Sequence, residues 1–351
     1  MGRTPSLVLL HPTAHLMRTV DLFRSRYALH VEPLPLIHGF ACADRLPNAL
    51  LTQEPAVCSV ETDQAVESSS SALPRRAVPE PLARIRAPLA WTRSEGEGVA
   101  VAVLDSGVDH KHPLLTVNLG PGQNLVEPGR PPLDDSGHGT HIAGLIAAQR
   151  TAALVIGVAP RTLVHPVKIL TKNGRGQLSD LIRGIGWAVD QRLPLINLSA
   201  GVPEPSDSLI RAVRAATSAG TLIIAAAGNG GGTVGYPAAL PEVVAVTALD
   251  NQNEVAPFCA TGTGVDLAAP GVSLLSTLPG GGTGRKSGTS FAAPLVAGAA
   301  ALYLALEPKA TPAQVKEALL ATVTPLPGVP VTAAGAGRLD LWNLVRFAGS
   351  D

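Results

Sequence analysis

Val99-Ala100-Val101-Ala102-Val103-Leu104-Asp105-Ser106-Gly107 is an apolar run closed by an acid and a turn. A run that is apolar at every position suits a strand inside a parallel sheet, where helices cover both faces. Four more such runs follow: Leu163–Leu170, Leu193–Leu198, Thr221–Ala227 and Val243–Leu249. Helical stretches lie between and after them, at Thr140–Gln149, Ser179–Asp190, Ser206–Ser218, Ser290–Leu306 and Thr311–Leu320. The alternation predicts an α/β domain, a doubly wound, mainly parallel sheet with helices on both faces. Ligands of such sheets bind outside the carboxyl ends of the strands, and Asp105 falls at one of those ends.

Working outward toward the start of the chain, composition changes over residues 67–88. Glu67-Ser68-Ser69-Ser70-Ser71 precedes Arg75-Arg76 and the prolines 74, 79, 81 and 88. Serine, charge and proline without apolar periodicity read as an exposed linker. Arg75-Arg76 is a candidate processing site or a solvated charge pair. Before the linker, Leu7–Leu10, Leu34–Cys42 and Ala56–Val60 read as strands. His15–Leu29 and Ala43–Gln53 read as helices. This β-α-β-α-β order predicts a small α+β, ferredoxin-like domain over residues 1–66. A linker over 67–80 and a large domain over 81–351 complete the expected organisation.

Composition excludes several classes. Of 351 residues, 46% are hydrophobic and 15% charged, which rules out a disordered or fibrous chain. Lys+Arg and Asp+Glu are both 27, so the net charge is zero, and aromatics are 3%. A nucleic-acid partner is not expected without a basic excess or stacking side chains. The cysteines 42, 58 and 259 cannot form a disulfide framework. One bridge, Cys42–Cys58, stands against the preferred reading of three buried thiols. No run reaches the roughly 18–20 apolar residues of a membrane span, so none is expected. The first residues lack a long apolar core and a small-residue cleavage site. A cytoplasmic chain, or one exported by a non-classical route, is expected, with a secreted one as the alternative.

Four residues stand out as chemistry. Asp105 would point into the crevice, or simply close a turn. His138 lies in Asp135-Ser136-Gly137-His138-Gly139-Thr140-His141, at a helix start between glycines that permit close approach. A neutral imidazole takes up a proton near pH 7. His138 and His141 also have the spacing of metal ligands, but no acid or third ligand accompanies them, and no metal is expected. Ser290, in Gly288-Thr289-Ser290-Phe291-Ala292-Ala293-Pro294, opens an apolar helix. It is either a cap or a nucleophile whose oxyanion faces helix N–H groups. Asn229 follows a buried strand in Ala225-Ala226-Ala227-Gly228-Asn229-Gly230. It is either a turn residue or an amide donor. Gly280 to Ser287 imitates a phosphate loop, but Arg285 separates Gly284 from Lys286 and the run follows no convincing strand, so nucleotide binding is set aside.

Taken together, the order Asp…His…Ser is one of the known orders of a serine triad. With these surroundings the chain resembles the subtilisin-like serine proteases over residues 80–347. The motifs that carry the resemblance surround Asp105, His138, Ser199, Asn229 and Ser290, and Gly335-Ala336-Gly337-Arg338-Leu339-Asp340 adds to it. The resemblance implies a serine endopeptidase acting on polypeptides through an acyl-enzyme. Ser290 would attack, His138 would move the proton, and Asp105 would orient His138. Asn229 and the Ser290 N–H would form the oxyanion hole, with Thr289 supporting it. Substrate would lie against Ser199, Ala200 and Gly201 and against Ala226, Ala227 and Gly228, with Gly230 and Gly235 at the floor or rim. No charge lines that pocket, so an apolar or aromatic side chain before the scissile bond is expected.

Ile37-His38-Gly39-Phe40-Ala41 and Pro55 through Asp63 resemble the family's inhibitory propeptide. The resemblance implies a self-processing zymogen whose first domain is an intramolecular inhibitor, cut within residues 64–80. A permanent accessory domain is the alternative. No cofactor is implied, and the chain is expected to be monomeric. The family's strong calcium site is expected to be absent. Leu114-Leu115 follow His112-Pro113 where an acid is usual, and Gln149 to Val155 hold neither acid nor Asn. Two rival readings are a non-catalytic peptide binder with the same fold, and a transpeptidase that passes the acyl group to an amine.

Overall fold

The computed structural model describes residues 6–34, 39–42, 46, 54–62, 78–151 and 154–349, and the elements below are those of the described residues. The chain divides into two units, Met1–Arg75 and Arg76–Asp351.

In the first unit, β1 (Ser6–Leu10), α1 (Leu16–Tyr27), β2 (Val31–Leu34), β3 (Gly39–Cys42) and β4 (Val57–Thr62) follow in order. The sheet order is β2-β3-β1-β4, antiparallel throughout. That is the arrangement of a split β-α-β unit. The single extended segment expected at Leu34–Cys42 is instead two paired strands, with Pro33 opposite Phe40. Proline cannot donate to a ladder, and β2 is an edge strand, so it is tolerated there. Val20 and Phe23 of α1 pack on Val8, Val31 and Phe40, and the Phe23 and Phe40 rings lie 4.9 Å apart. The helix expected at Ala43–Gln53 lies outside the described residues, apart from buried Leu46.

The second unit opens with α2 (Glu80–Arg84) and α3 (Ala87–Ala90). Pro81 and Pro88 sit in their first turns, where a missing N–H costs nothing. The sheet then begins with β5 (Ala100–Asp105), the run that opens the sequence argument. β6 (Gln123–Asn124), β7 (Leu163–Lys168), β8 (Leu195–Leu198), β9 (Leu222–Ala226), β10 (Val244–Leu249) and β11 (Leu267–Pro270) complete it. Their order is β11-β10-β9-β8-β5-β7-β6, all parallel. The expected α/β fold is the one observed.

Helices cover both faces. α4 (His138–Ala147) and α7 (Thr289–Leu306) pack in one apolar layer, with Val101, Val103, Ile224 and Val246 of the sheet. α5 (Leu178–Asp190) and α6 (Asp207–Ser218) pack in the other, with Leu104, Ile196 and Ile223. α8 (Pro312–Ala321), α9 (Val331–Ala334) and α10 (Leu341–Phe347) close the chain. A hairpin, β12 (Leu274–Leu278) with β13 (Gly282–Lys286), stands apart from the main sheet. The imitation phosphate loop is therefore the turn and second strand of that hairpin.

α7 is long and apolar enough to cross a membrane by length and composition alone. Sixteen of its 18 residues are buried among protein groups, so here it is the core helix of the second unit.

Connectivity places the site. From β5 the chain runs to β6 and β7 on one side, then crosses to β8 on the other. The carboxyl end of β5 is thus the topological switch point, where an open α/β sheet forms its crevice. Asp105 is the last residue of β5.

Candidate active site

Asp105 is fully buried. A carboxylate out of water must be paired or bonded. Its Oδ1 accepts from the Ser106 N–H at 2.8 Å. The Nδ1–H of His138 donates to Asp105 Oδ1 at 2.8 Å and to Oδ2 at 3.0 Å. With Nδ1 committed as donor, Nε2 keeps its lone pair on the far side of the ring. Close approach of helix and strand is what allows this. A Cβ at Gly139 would meet the Gly107 carbonyl oxygen at 2.1 Å.

His138 is the first residue of α4, whose N-cap is Gly137 at φ +78°. Gly137 offers no capping side chain, and Asp134 takes that part. Its Oδ1 accepts from Ser106 Oγ (2.8 Å), Ser136 N (2.9 Å) and Gly137 N (2.9 Å). Its Oδ2 accepts from Thr140 N (2.9 Å) and Thr140 Oγ1 (2.6 Å). Lys168, 3% exposed, donates to the Ser106 carbonyl and to Asp135 Oδ1, each at 2.7 Å.

Burial is the largest influence on the His138 pKa and lowers it, but the charge and hydrogen bond of Asp105 outweigh it. Lys286 pulls the pKa down and Asp134 pushes it up, and the net value is above the usual histidine range. His141 differs. Burial dominates and lowers its pKa to about 4, so it is neutral, and its Nε2–H donates to the Gly284 carbonyl at 3.1 Å. The Phe291 ring lies 5.2 Å from the His138 ring and 4.8 Å from that of His141. His141 is therefore tied to the hairpin.

Ser290 is the second residue of α7 and is 8% exposed. Pro294 explains its surroundings. Lacking an N–H, Pro294 leaves the Ser290 carbonyl without its intrahelical donor. The Ser199 hydroxyl donates to that carbonyl at 2.9 Å. The Ser290 hydroxyl donates in turn to the Ser199 carbonyl at 3.3 Å. No hydrogen bond joins Ser290 to His138 among the described residues. In unliganded sites such contacts are often long and tighten only around substrate.

Asn229 follows β9. Its Oδ1 accepts from Thr289 N (2.9 Å) and Thr289 Oγ1 (3.1 Å). The oxygen end of the amide is therefore fixed, and the two Nδ2 hydrogens are left for other acceptors. Gly288 precedes Thr289 at φ +151°, where a Cβ would come within 3.3 Å of Asn229 Nδ2.

Beside Ser290 lies a cleft of about 350 Å³. Ser199, Ala200 and Gly201 form one wall, and Ala226, Ala227, Gly228 and Asn229 form another. Gly235, Tyr236, Thr233 and Ala260 close it, and no charged side chain lines it. Gly230, expected at the floor or rim, is not part of the lining, and its N–H donates to the Phe258 carbonyl at 2.7 Å.

Sequence reasoning missed Asp134, Ser106 and Lys168 as supports of His138. Capping rules look to the residue just before the helix, which here is Gly137. The usable signal was the acid four residues ahead of His138.

The chain matches the model of the subtilase family over residues 96–338. It is 43% identical to subtilisin E of Bacillus subtilis (strain 168) over 280 residues, 78% of this chain and 72% of that protein. It is 44% identical to a subtilisin of Bacillus pumilus over 255 residues, 71% of this chain and 92% of that protein. It is 42% identical to an alkaline protease of Shouchella clausii over 279 residues, 79% of this chain and 71% of that protein. The chain belongs to the subtilase family and is a serine endopeptidase.

Proposed function

We propose that Ser290 is the nucleophile of this endopeptidase, His138 its general base and acid, and Asp105 the group that orients His138. The observation that carries the reading is the Asp105–His138 pair at the sheet's switch point, 2.8 Å long, facing the start of the helix that bears Ser290. Nε2 would accept the Ser290 proton as its oxygen attacks the peptide carbonyl. The resulting imidazolium would face Asp105, and Asp134 favours the same charge. Asn229 Nδ2 and the Ser290 N–H would receive the oxyanion, at a helix end whose dipole favours negative charge. Nε2–H would then return the proton to the leaving amine. The acyl-side peptide would add a strand along Ser199–Gly201, with its side chain in the uncharged cleft.

We propose further that the first unit is a propeptide removed by a cut within residues 64–80. The motif resemblance of its sequence supports this. We also propose that the family's strong calcium site is missing. At that place Leu115 is fully buried in the apolar core and the Leu114 carbonyl accepts from Gln149 N. Arg150 brings a guanidinium that pairs with Glu95 at 2.6 Å and lies over the Trp91 ring. These side chains do not fit a calcium ion. Unfolding followed with and without excess EDTA should give the same midpoint, and a fall with EDTA would refute the claim.

Intact mass and N-terminal sequencing over time test the main reading, wild type beside Ser290→Ala. The wild type should be cut within residues 64–80, while Ser290→Ala stays whole. A Ser290→Ala chain that matures at the wild-type rate, free of other protease, would remove Ser290 from its role.

A further inference from the structure

We propose that Lys286 reads the leaving side of the substrate and selects peptides with Asp or Glu in the first two positions after the scissile bond. The proposal rests on the assignment of His138 and Ser290 above. Lys286 ends β13, four residues before Ser290, and pairs across the hairpin with buried Leu274. The hairpin is fixed against α4. Ser276 Oγ donates to the His141 carbonyl at 2.8 Å, Thr277 Oγ1 to the Thr140 carbonyl at 2.6 Å, and His141 to Gly284 at 3.1 Å. Lys286 is therefore carried on a strand tied to the helix that begins with His138. Its charge acts on both His138 and His141.

The chemistry decides which half of the peptide it meets. The acyl half occupies the cleft beside Ser199 and Gly228, to which Lys286 does not contribute. The leaving amine must take its proton from His138, so the leaving half runs past the start of the helix on which the hairpin of Lys286 is docked. The acids on that side are engaged. Asp105 holds His138, and Asp134 accepts five hydrogen bonds. Asp109 accepts from Lys111 N and Gly280 N, each at 2.9 Å.

Lys286 contrasts with the other two lysines that lie close to acids. Lys168 meets Asp135 at 2.7 Å and Lys316 meets Asp266 at 2.9 Å, while no carboxylate lies within ion-pair distance of Lys286 among the described residues. A partly buried cation without an ion-pair partner, on a strand tied to the helix that begins with His138, suits an acidic side chain there.

The test uses the mature wild-type enzyme and peptides identical except for Glu, Gln or Lys at the first or second position after the scissile bond. The wild type should cleave the Glu peptide about three- to fivefold faster than the Gln peptide in kcat/KM, the scale of a partly exposed ion pair. The ratio should shrink at high salt, since the screening length falls to about 3 Å at 1 M. Lys286→Gln should bring the ratio to one, and Lys286→Glu should favour the Lys peptide. Each ratio is taken within one enzyme, so a loss of folded protein cancels, and a purely structural lysine would not invert the preference. Equal cleavage of Glu and Gln peptides by the wild type, or a preference unchanged in Lys286→Glu, would overturn the proposal while leaving the endopeptidase intact. Failure to cleave any of the peptides, or a protein substrate such as casein, would overturn the endopeptidase reading as well.

Discussion

Two helices meet at the site, and both begin at a glycine without a capping side chain, Gly137 for α4 and Gly288 for α7. They are secured by opposite means. Ionisable carboxylates hold the start of α4, with Asp105 on His138 and Asp134 on the backbone that follows. Neutral groups hold the start of α7, with the Asn229 amide on Thr289 and the Ser199 hydroxyl on Ser290. The difference matches the charges that each end would receive. An imidazolium forming on α4 gains from acids nearby. An oxyanion forming at α7 gains from N–H donors and would be repelled by a carboxylate in the same place.

The largest test of this division removes the groups that move charge. Ser290→Ala and His138→Ala should each reduce kcat by about 10⁶, a scale known from subtilisin itself rather than derived from this molecule. Burst kinetics with an active-site titrant would show the nucleophile lost in Ser290→Ala. A loss below tenfold in either variant would mean that another group does the work. Next comes Asn229→Ala, expected to lower kcat about 10²–10³ with little change in KM, again a magnitude known from subtilisin. Because Asn229 also holds Thr289, the variant's unfolding midpoint must be measured beside its kinetics. A loss confined to KM would place the amide in substrate binding, and the neutral end of the comparison would fail.

Much of this was legible in the sequence because buried parallel strands leave continuous apolar runs. The predicted strand starting at Val99 and the observed one at Ala100 differ by one residue. Asp105 and Asn229 stood out just after such runs, and His138 and Ser290 stood out at the starts of helices. What stayed hidden was short, polar or tertiary. β6 has two residues, Gln123 and Asn124, too few to show a period. β11 is Leu267-Ala268-Ala269-Pro270, an edge of small residues ending in proline. β13 is glycine-rich and charged, and only its docking on α4 gives it meaning. Asp134 acts across four residues of loop, beyond the reach of any local capping rule.

Asp134 is therefore the next test of the acidic end. Asp134→Asn keeps the shape but replaces one acceptor oxygen by a donor, facing N–H groups at either side. About 1–3 kcal/mol of stability should be lost, as expected for buried donors left unpaired, and kcat should fall about tenfold. The acid limb of kcat/KM gives the sharper readout. His138 works as a base only when neutral, so that limb follows its pKa. Asp134 raises that pKa, and removing its charge should move the limb to lower pH. A limb that stays in place would leave Asp134 as a cap for α4 and nothing more.

Lys286→Gln should disturb kcat and stability least, and its effect on the limb has the opposite sign. Lys286 lowers the His138 pKa, so its removal should move the acid limb to higher pH. The step follows from the loss of one positive charge that acts on His138. The substrate must be uncharged on its leaving side, so that recognition by Lys286 does not enter. The double variant with Asp134→Asn then decides between field and shape. If both residues act on His138 only through their charges, the two shifts should add, and the limb should return toward its wild-type position. The damage to kcat and stability from Asp134→Asn should remain. A limb that does not return would show that at least one substitution moves the imidazole itself. In that case the acidic seat of His138 would be a matter of position more than of field.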